Sequence, residues 1–154
     1  SALANCVLLV DLMLQQNQLI DISVLANLTL LQDLDLDNNF IVDITPLINL
    51  IYLRELTVCF NLIRIIPSLF RLTHIYLLSF TANLIDDISG LSSLTTLQNV
   101  YLGDNQITDI STFPLLTNGQ SVHLSGNAGI QCNAVSALQA TLVGVSVIHT
   151  ACLP

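Results

Sequence analysis

Apolar residues recur along this chain with a period of 22. Leu9, Leu12 and Leu14 are followed at that interval by Leu31, Leu34 and Leu36, then Leu53, Leu56 and Val58, then Ile75, Leu78 and Phe80, then Leu97, Val100 and Leu102, and finally by Val122 and Leu124 after Gly119. An asparagine closes each group, at Asn17, Asn39, Asn61, Asn83, Asn105 and Asn127. Six matches without an insertion mark an internal repeat, in which each turn buries its apolar side only by stacking on its neighbours. The opening stretch of every repeat alternates inward and outward positions, which predicts a short strand. Stacked repeats then form a parallel sheet with strands about 4.8 Å apart. The second half, as in Ile41–Leu47 followed by Leu50, carries apolar residues at helical or 3₁₀ spacing with Pro46 near the start of the turn, which predicts short helical segments on the opposite side.

Two stretches carry a family resemblance. Asn39-Phe40-Ile41-Val42-Asp43-Ile44-Thr45-Pro46-Leu47 and Asn105-Gln106-Ile107-Thr108-Asp109-Ile110-Ser111 resemble the 22-residue leucine-rich repeat of internalin-type bacterial proteins. The resemblance covers nearly the whole chain. It implies an α/β leucine-rich-repeat solenoid, with a curved parallel sheet on the concave face and short helical or 3₁₀ segments on the convex face. It also implies a non-catalytic module that binds a protein or glycan through the concave sheet. The third repeat departs from the pattern, with Ile65 where the others place Asp21, Asp43, Asp87 and Asp109.

The ends differ from the middle. Residues 1–8 form part of a repeat, 9–127 the repeats, and 128–154 a C-terminal cap, all within a single domain. The cap has an amphipathic stretch at Val135–Leu142 and a strand-like one at Val145–Ile148. It resembles the cysteine-containing caps that cover the last core layer of extracellular repeat arrays. Cys132 and Cys152 bracket it and are expected to form a disulfide, as in a secreted, periplasmic or cell-surface protein. At the other end Leu3 falls in register with Leu25 and Cys6 with Leu28, so Cys6 is expected to be buried. Cys59 is expected at an outward strand position, more than two strands from Cys6 and beyond bridging distance. The opening part-repeat leaves an end layer without a cap, and two expectations follow. An upstream segment covers it, or the chain is a subunit of an extracellular assembly, filament or surface layer that stacks through this end.

Composition narrows the classes of function. The chain of 154 residues is 53% hydrophobic and 9% charged, with ample material for a continuous core. No apolar run reaches the roughly 18 residues of a membrane helix, and Ser1–Asn5 lacks the basic start of a signal peptide, which gives the expectation of a soluble, mature chain. Three arginines, no lysine and eleven carboxylates give a net charge of −8, which argues against nucleic acid as a partner. The sequence contains no nucleophile elbow, no zinc-protease motif and no phosphate loop, and its three histidines fall in different settings, so neither an enzyme nor a cofactor or metal is expected.

Candidate binding residues come from the outward strand positions, because the repeat does not dictate them. Third positions of successive repeats are Asp11, Asp33, Glu55, Leu77, Asn99 and Ser121, and fifth positions are Met13, Asp35, Thr57, Ser79, Tyr101 and His123. Asp11, Asp33 and Glu55 are expected to stack on adjacent strands with Asp35 and Asp37 beside them. Like charges so close repel by about 1 kcal/mol per solvated pair, a cost that a basic partner or a cation would offset. Asp33–Asp37 superficially matches the opening of a calcium loop, but Leu34 and Leu36 are core positions and Ile44 occupies the twelfth place, so a calcium hand is rejected. Arg54, Phe60, Tyr76, Tyr101 and His123 extend the same face with the residue types that anchor recognition surfaces. The repeated asparagines and the aspartates at 21, 43, 87 and 109 are read as architectural, serving buried backbone groups and turn N–H groups.

Overall fold

The computed structural model describes residues 2–152. Seven parallel strands follow one another in sequence order, β1 (Asp11–Met13), β2 (Asp33–Asp35), β3 (Glu55–Thr57), β4 (Leu77–Ser79), β5 (Asn99–Tyr101), β6 (Ser121–His123) and β7 (Ser146–Ile148). The register advances by one repeat at every step, with Asp11 opposite Asp33, Asp33 opposite Glu55, and Glu55 opposite Leu77. The middle residues Leu34, Leu56, Leu78, Val100 and Val122 are buried, while the first residues of those strands remain partly exposed on the sheet's outer face. In the second repeat Leu31, Leu34, Leu36, Ile41, Ile44, Leu47 and Leu50 are all 2% exposed or less. Each contributes about 1.5–3 kcal/mol by leaving water.

The asparagines lie where the chain leaves the sheet. Asn83 Nδ2 donates to Val58 O of the preceding turn at 2.8 Å and to Phe80 O of its own turn at 3.1 Å, and its Oδ1 accepts the Ile63 N–H at 3.0 Å. Asn39, Asn61, Asn105 and Asn127 repeat this arrangement. Asn17 does not: its side chain is exposed and donates only to Leu14 O and Gln15 O within its own turn. The residue before each asparagine turns the chain through positive φ, from 54° to 56° at Gln16, Asn38, Phe60, Ala82 and Asp104 and 82° at Gly126. Asn, Asp and Gly adopt this conformation readily, whereas Phe60 and Ala82 do so at a cost of about 1–2 kcal/mol.

The convex side is less regular than the sequence implies. Helical 3₁₀ segments form at Ser23–Asn27, Thr45–Leu47 and Ser89–Leu91, in the first, second and fourth repeats. In each, the preceding aspartate accepts a backbone N–H, as Asp43 does from Thr45 at 2.7 Å. The third repeat, with Ile65 in place of the aspartate, runs extended and makes an isolated parallel bridge to Asp87. Its backbone packs so close to Gly90 that a side chain there would collide with the carbonyls of Ile66 and Pro67. The fifth repeat keeps the bond from Ser111 N–H to Asp109 yet forms only turns.

The cap continues the sheet rather than merely covering it. Helix α1 (Cys132–Thr141) lays Val135 and Leu138 on the core, and β7 pairs with β6 through Ser121 opposite Ser146, so the 22-residue spacing lengthens to 25. Gln139 then serves the outer edge of β7, donating to Val145 O at 2.7 Å and accepting the Val147 N–H at 2.9 Å. An open strand edge invites pairing with another chain, and this side chain occupies it. Cys132 and Cys152 are joined, as expected.

Two cysteine expectations are corrected. Cys6 is exposed, because the described residues stack a turn on only one side of it, whereas its register equivalent Leu28 lies between two. Cys59 is 8% exposed rather than outward. It follows β3 as the chain turns inward, with its thiol 2.9 Å from the Ser79 hydroxyl.

The asparagine ladder makes a graded prediction. Asn83→Ala leaves buried backbone groups unpaired and lowers stability by about 1–3 kcal/mol, while Asn17→Ala changes it by less than about 0.5 kcal/mol. Equal losses in thermal melts of the two variants contradict this account. A second prediction concerns the cap. The Cys132–Cys152 bond spans 20 residues, so its reduction costs about 3 kcal/mol through the entropy returned to the unfolded chain, measurable as a lower denaturant midpoint.

Candidate recognition surface

The outer face of the sheet divides into an acidic half and a polar–aromatic half. At the acidic end Asp11, Asp33 and Glu55 occupy paired positions on β1, β2 and β3, and Asp35 lies between Met13 and Thr57. The carboxyl of Asp33 is held above its ordinary range, first by removal from water and then by the charges of Glu55 and Asp11. Glu55 accepts a short hydrogen bond from the Tyr76 hydroxyl, which in turn pushes the tyrosine's own ionisation upward. Arg54 precedes Glu55 with an exposed side chain, and its charge draws Asp33 back toward its ionised form.

Asp37 belongs to the architecture more than to this group. It lies beyond the end of β2 and accepts the Cys59 N–H at 2.6 Å, 22 residues away. Desolvation raises its carboxyl while that bond lowers it, and both act on a side chain that is tied to the next turn. Asp35 also accepts a backbone bond, from the Asp37 N–H at 2.9 Å, but remains on the outer face.

At the other end Tyr101 and His123 stack with ring centroids 4.7 Å apart, and the Ser121 hydroxyl donates to Asn99 Oδ1 at 2.8 Å beside them. Tyr76 links the halves through Glu55. Phe60 is not on the strand face as expected. It sits in the positive-φ turn past β3, 57% exposed on the lateral rim of the solenoid. The Asn99–Ser121 and Cys59–Ser79 pairs were not anticipated, although both fall on positions 22 or 20 apart in the repeat and register arithmetic finds the first. Among the described residues no cluster of three or more His, Cys, Asp or Glu side chains could hold a metal ion, and no helix is long and apolar enough to cross a membrane.

The two kinds of carboxylate respond oppositely to pH. Asp33 has a raised folded value, so its ionised form subtracts stability at neutral pH, and that deficit fades as pH falls through the raised value. Asp21 and Asp109 are held below the ordinary range by the N–H groups of Ser23 and Ser111. Their contribution is present above the unfolded value and lost as pH falls through the depressed one. Asp33→Asn therefore raises the melting temperature at neutral pH and Asp109→Asn lowers it; on acidification the first difference fades as pH falls through the raised value, and the second only later, as pH falls through the depressed one. Melts of the two variants from neutral to acidic pH check the signs.

No protein-family model and no curated protein matches the sequence. Solved structures do. Internalin C2 of Listeria monocytogenes matches with a TM-score of 0.88 at 35% identity, over 96% of this chain and 64% of that one. A second Listeria monocytogenes internalin, InlF, matches at 0.85 and 33% identity, over 94% and 42%. A leucine-rich-repeat protein of Leptospira interrogans matches at 0.86 and 26% identity, over 94% and 38%. The chain thus spans between 38% and 64% of the length of these relatives. With the 22-residue period, the parallel sheet and the bonded cap already in place, the chain is an internalin-like leucine-rich-repeat solenoid closed at its C-terminal end by a disulfide-bearing cap.

Proposed function

We propose that this chain is a non-catalytic recognition module of a secreted, periplasmic or cell-surface protein, and that its concave sheet binds a protein partner with a basic surface. The observation that carries this reading is the in-register stack of Asp11, Asp33 and Glu55, in which Asp33 is unfavourably ionised. A repeat needs no carboxylate at these positions, since Leu77, Asn99 and Ser121 occupy them in later turns. An arginine- or lysine-bearing partner relieves the repulsion and stands to gain charge-assisted hydrogen bonds. Tyr76, Tyr101 and His123 extend the contact as anchors that lose little conformational freedom on binding, and the exposed Arg54 adds hydrogen-bond donors beside them. The disulfide supports an oxidising compartment.

The test is a triple substitution, Asp33→Asn, Asp35→Asn and Glu55→Gln, which removes charge and keeps an acceptor oxygen for the Asp37 N–H and the Tyr76 hydroxyl. An arginine-rich peptide titrated by fluorescence anisotropy should bind the parent chain with an affinity that falls with salt, and bind the variant at least about tenfold more weakly. The variant's melting temperature should stay level or rise. A markedly lower melting temperature makes the carboxylates architectural. Undiminished binding moves recognition away from the acidic half, toward Tyr76, Tyr101 and His123.

A further inference from the structure

The position immediately after each ladder asparagine points away from the core, and in the six repeats it reads Gln18, Phe40, Leu62, Leu84, Gln106 and Ala128. The three central residues are 50%, 43% and 41% exposed. Backbone bonds tie these positions turn to turn, from Phe40 N–H to Leu19 O, Leu62 N–H to Ile41 O and Leu84 N–H to Ile63 O, each 2.9 Å. The three side chains therefore form a row along the lateral rim with strand-like spacing of about 4.8 Å, bounded at each end by glutamine. Phe60, in the positive-φ turn just before Leu62, adds an exposed ring, although asparagine, aspartate or glycine suits that conformation better.

The row lies between carboxylates. Asp37 precedes Phe40 on the sheet side, and Asp43 follows it on the convex side, where it accepts the Thr45 N–H. Beyond Leu84 come Asp86, paired with Arg64, and Asp87. An acidic margin around an apolar row repels anionic lipid, and in a chain of net charge −8 it also repels a second copy. We propose that this rim, distinct from the concave face, docks an amphipathic helix of a partner protein. The helix would lie along the solenoid axis with its apolar stripe on Phe40, Leu62 and Leu84 and lysine or arginine on either side. One helical turn rises about 5.4 Å, close enough to the repeat spacing for residues at i, i+3 or i+4, and i+7 to meet successive rim side chains.

The experiment uses Phe40→Gln, Leu62→Gln and Leu84→Gln together, a change the fold already accepts at Gln18 and Gln106. The probe is a labelled 18-residue leucine–lysine peptide with a helical apolar stripe, followed by fluorescence anisotropy. The expected result is saturable binding to the parent chain, at least about tenfold weaker binding to the glutamine variant with an unchanged melting temperature, and little change for the Asp33, Asp35, Glu55 variant described above. That pattern separates the rim from the concave reading, since each variant would then disable its own probe. The proposal is overturned by absent binding, by equal binding to parent and glutamine variant, by a stronger effect of the concave substitutions, by binding to anionic vesicles that the glutamine substitutions abolish, or by a sedimenting dimer that they dissociate.

Discussion

One amide per turn holds consecutive turns together where the chain leaves the sheet. The strand is three residues long, and the segment beyond it presents carbonyls and N–H groups to an apolar interior that offers no other partner. Asn61 meets this by donating to Leu36 O, Val58 O and Cys59 O and accepting from Ile41 N–H, so groups of two successive turns are satisfied by a side chain of one of them. A buried polar group without a partner costs about 1–3 kcal/mol, and the cost would recur at every repeat. The 22-residue period is therefore tied to the reach of an asparagine as firmly as to the volume of the leucines.

That constraint leaves some positions unassigned, and the candidate surfaces lie there. Apart from Ser79, which is tied to the buried Cys59 thiol, the outward strand residues and the residue after each asparagine are not dictated by the ladder or the core, so their chemistry varies along the solenoid from acidic through aliphatic to amide and aromatic. The residue before each asparagine is constrained in another way, by its positive φ. Asn38, Asp104 and Gly126 suit it, while Phe60 takes it against its intrinsic preference and presents a ring at the rim. Backbone strain of this kind is sustained only because the stacked turns on both sides over-determine the conformation.

Charge is used in two opposite senses along one solenoid. Aspartates that receive turn N–H groups, such as Asp21 and Asp109, are better ionised in the folded chain than outside it. Asp33 is worse ionised, because the sheet brings it between Asp11 and Glu55 and removes water from it. Asp37 feels both influences at once, desolvated yet bonded to Cys59 N–H. Carboxylates that look alike in composition thus take opposite parts: Asp21 and Asp109 support turns, whereas Asp33 is held by its neighbours in an unfavourable ionised state.

The sequence by itself determined the period, the core positions, the strand register and the role of the asparagine column, because each rests on spacing that a repeat preserves: Asp11, Asp33 and Glu55 could be placed side by side before any coordinates. It also located the strand-like part of the cap and paired Cys132 with Cys152. What it left to the tertiary structure were matters of which atoms meet across turns. Cys59 reads as an outward strand residue by alternation, but the chain has already begun to turn in. Phe60 reads as part of the face, but positive φ carries it to the rim. Leu28 is buried by neighbours on both sides, and Cys6, its equivalent in register, has a described neighbour on one side only. The third repeat's extended segment depends on the close approach of its backbone to Gly90 in the next turn. Periodicity specifies where a residue stands within its own turn; exposure, partners and ionisation are set by the turn stacked upon it, and only the folded solenoid brings those two together.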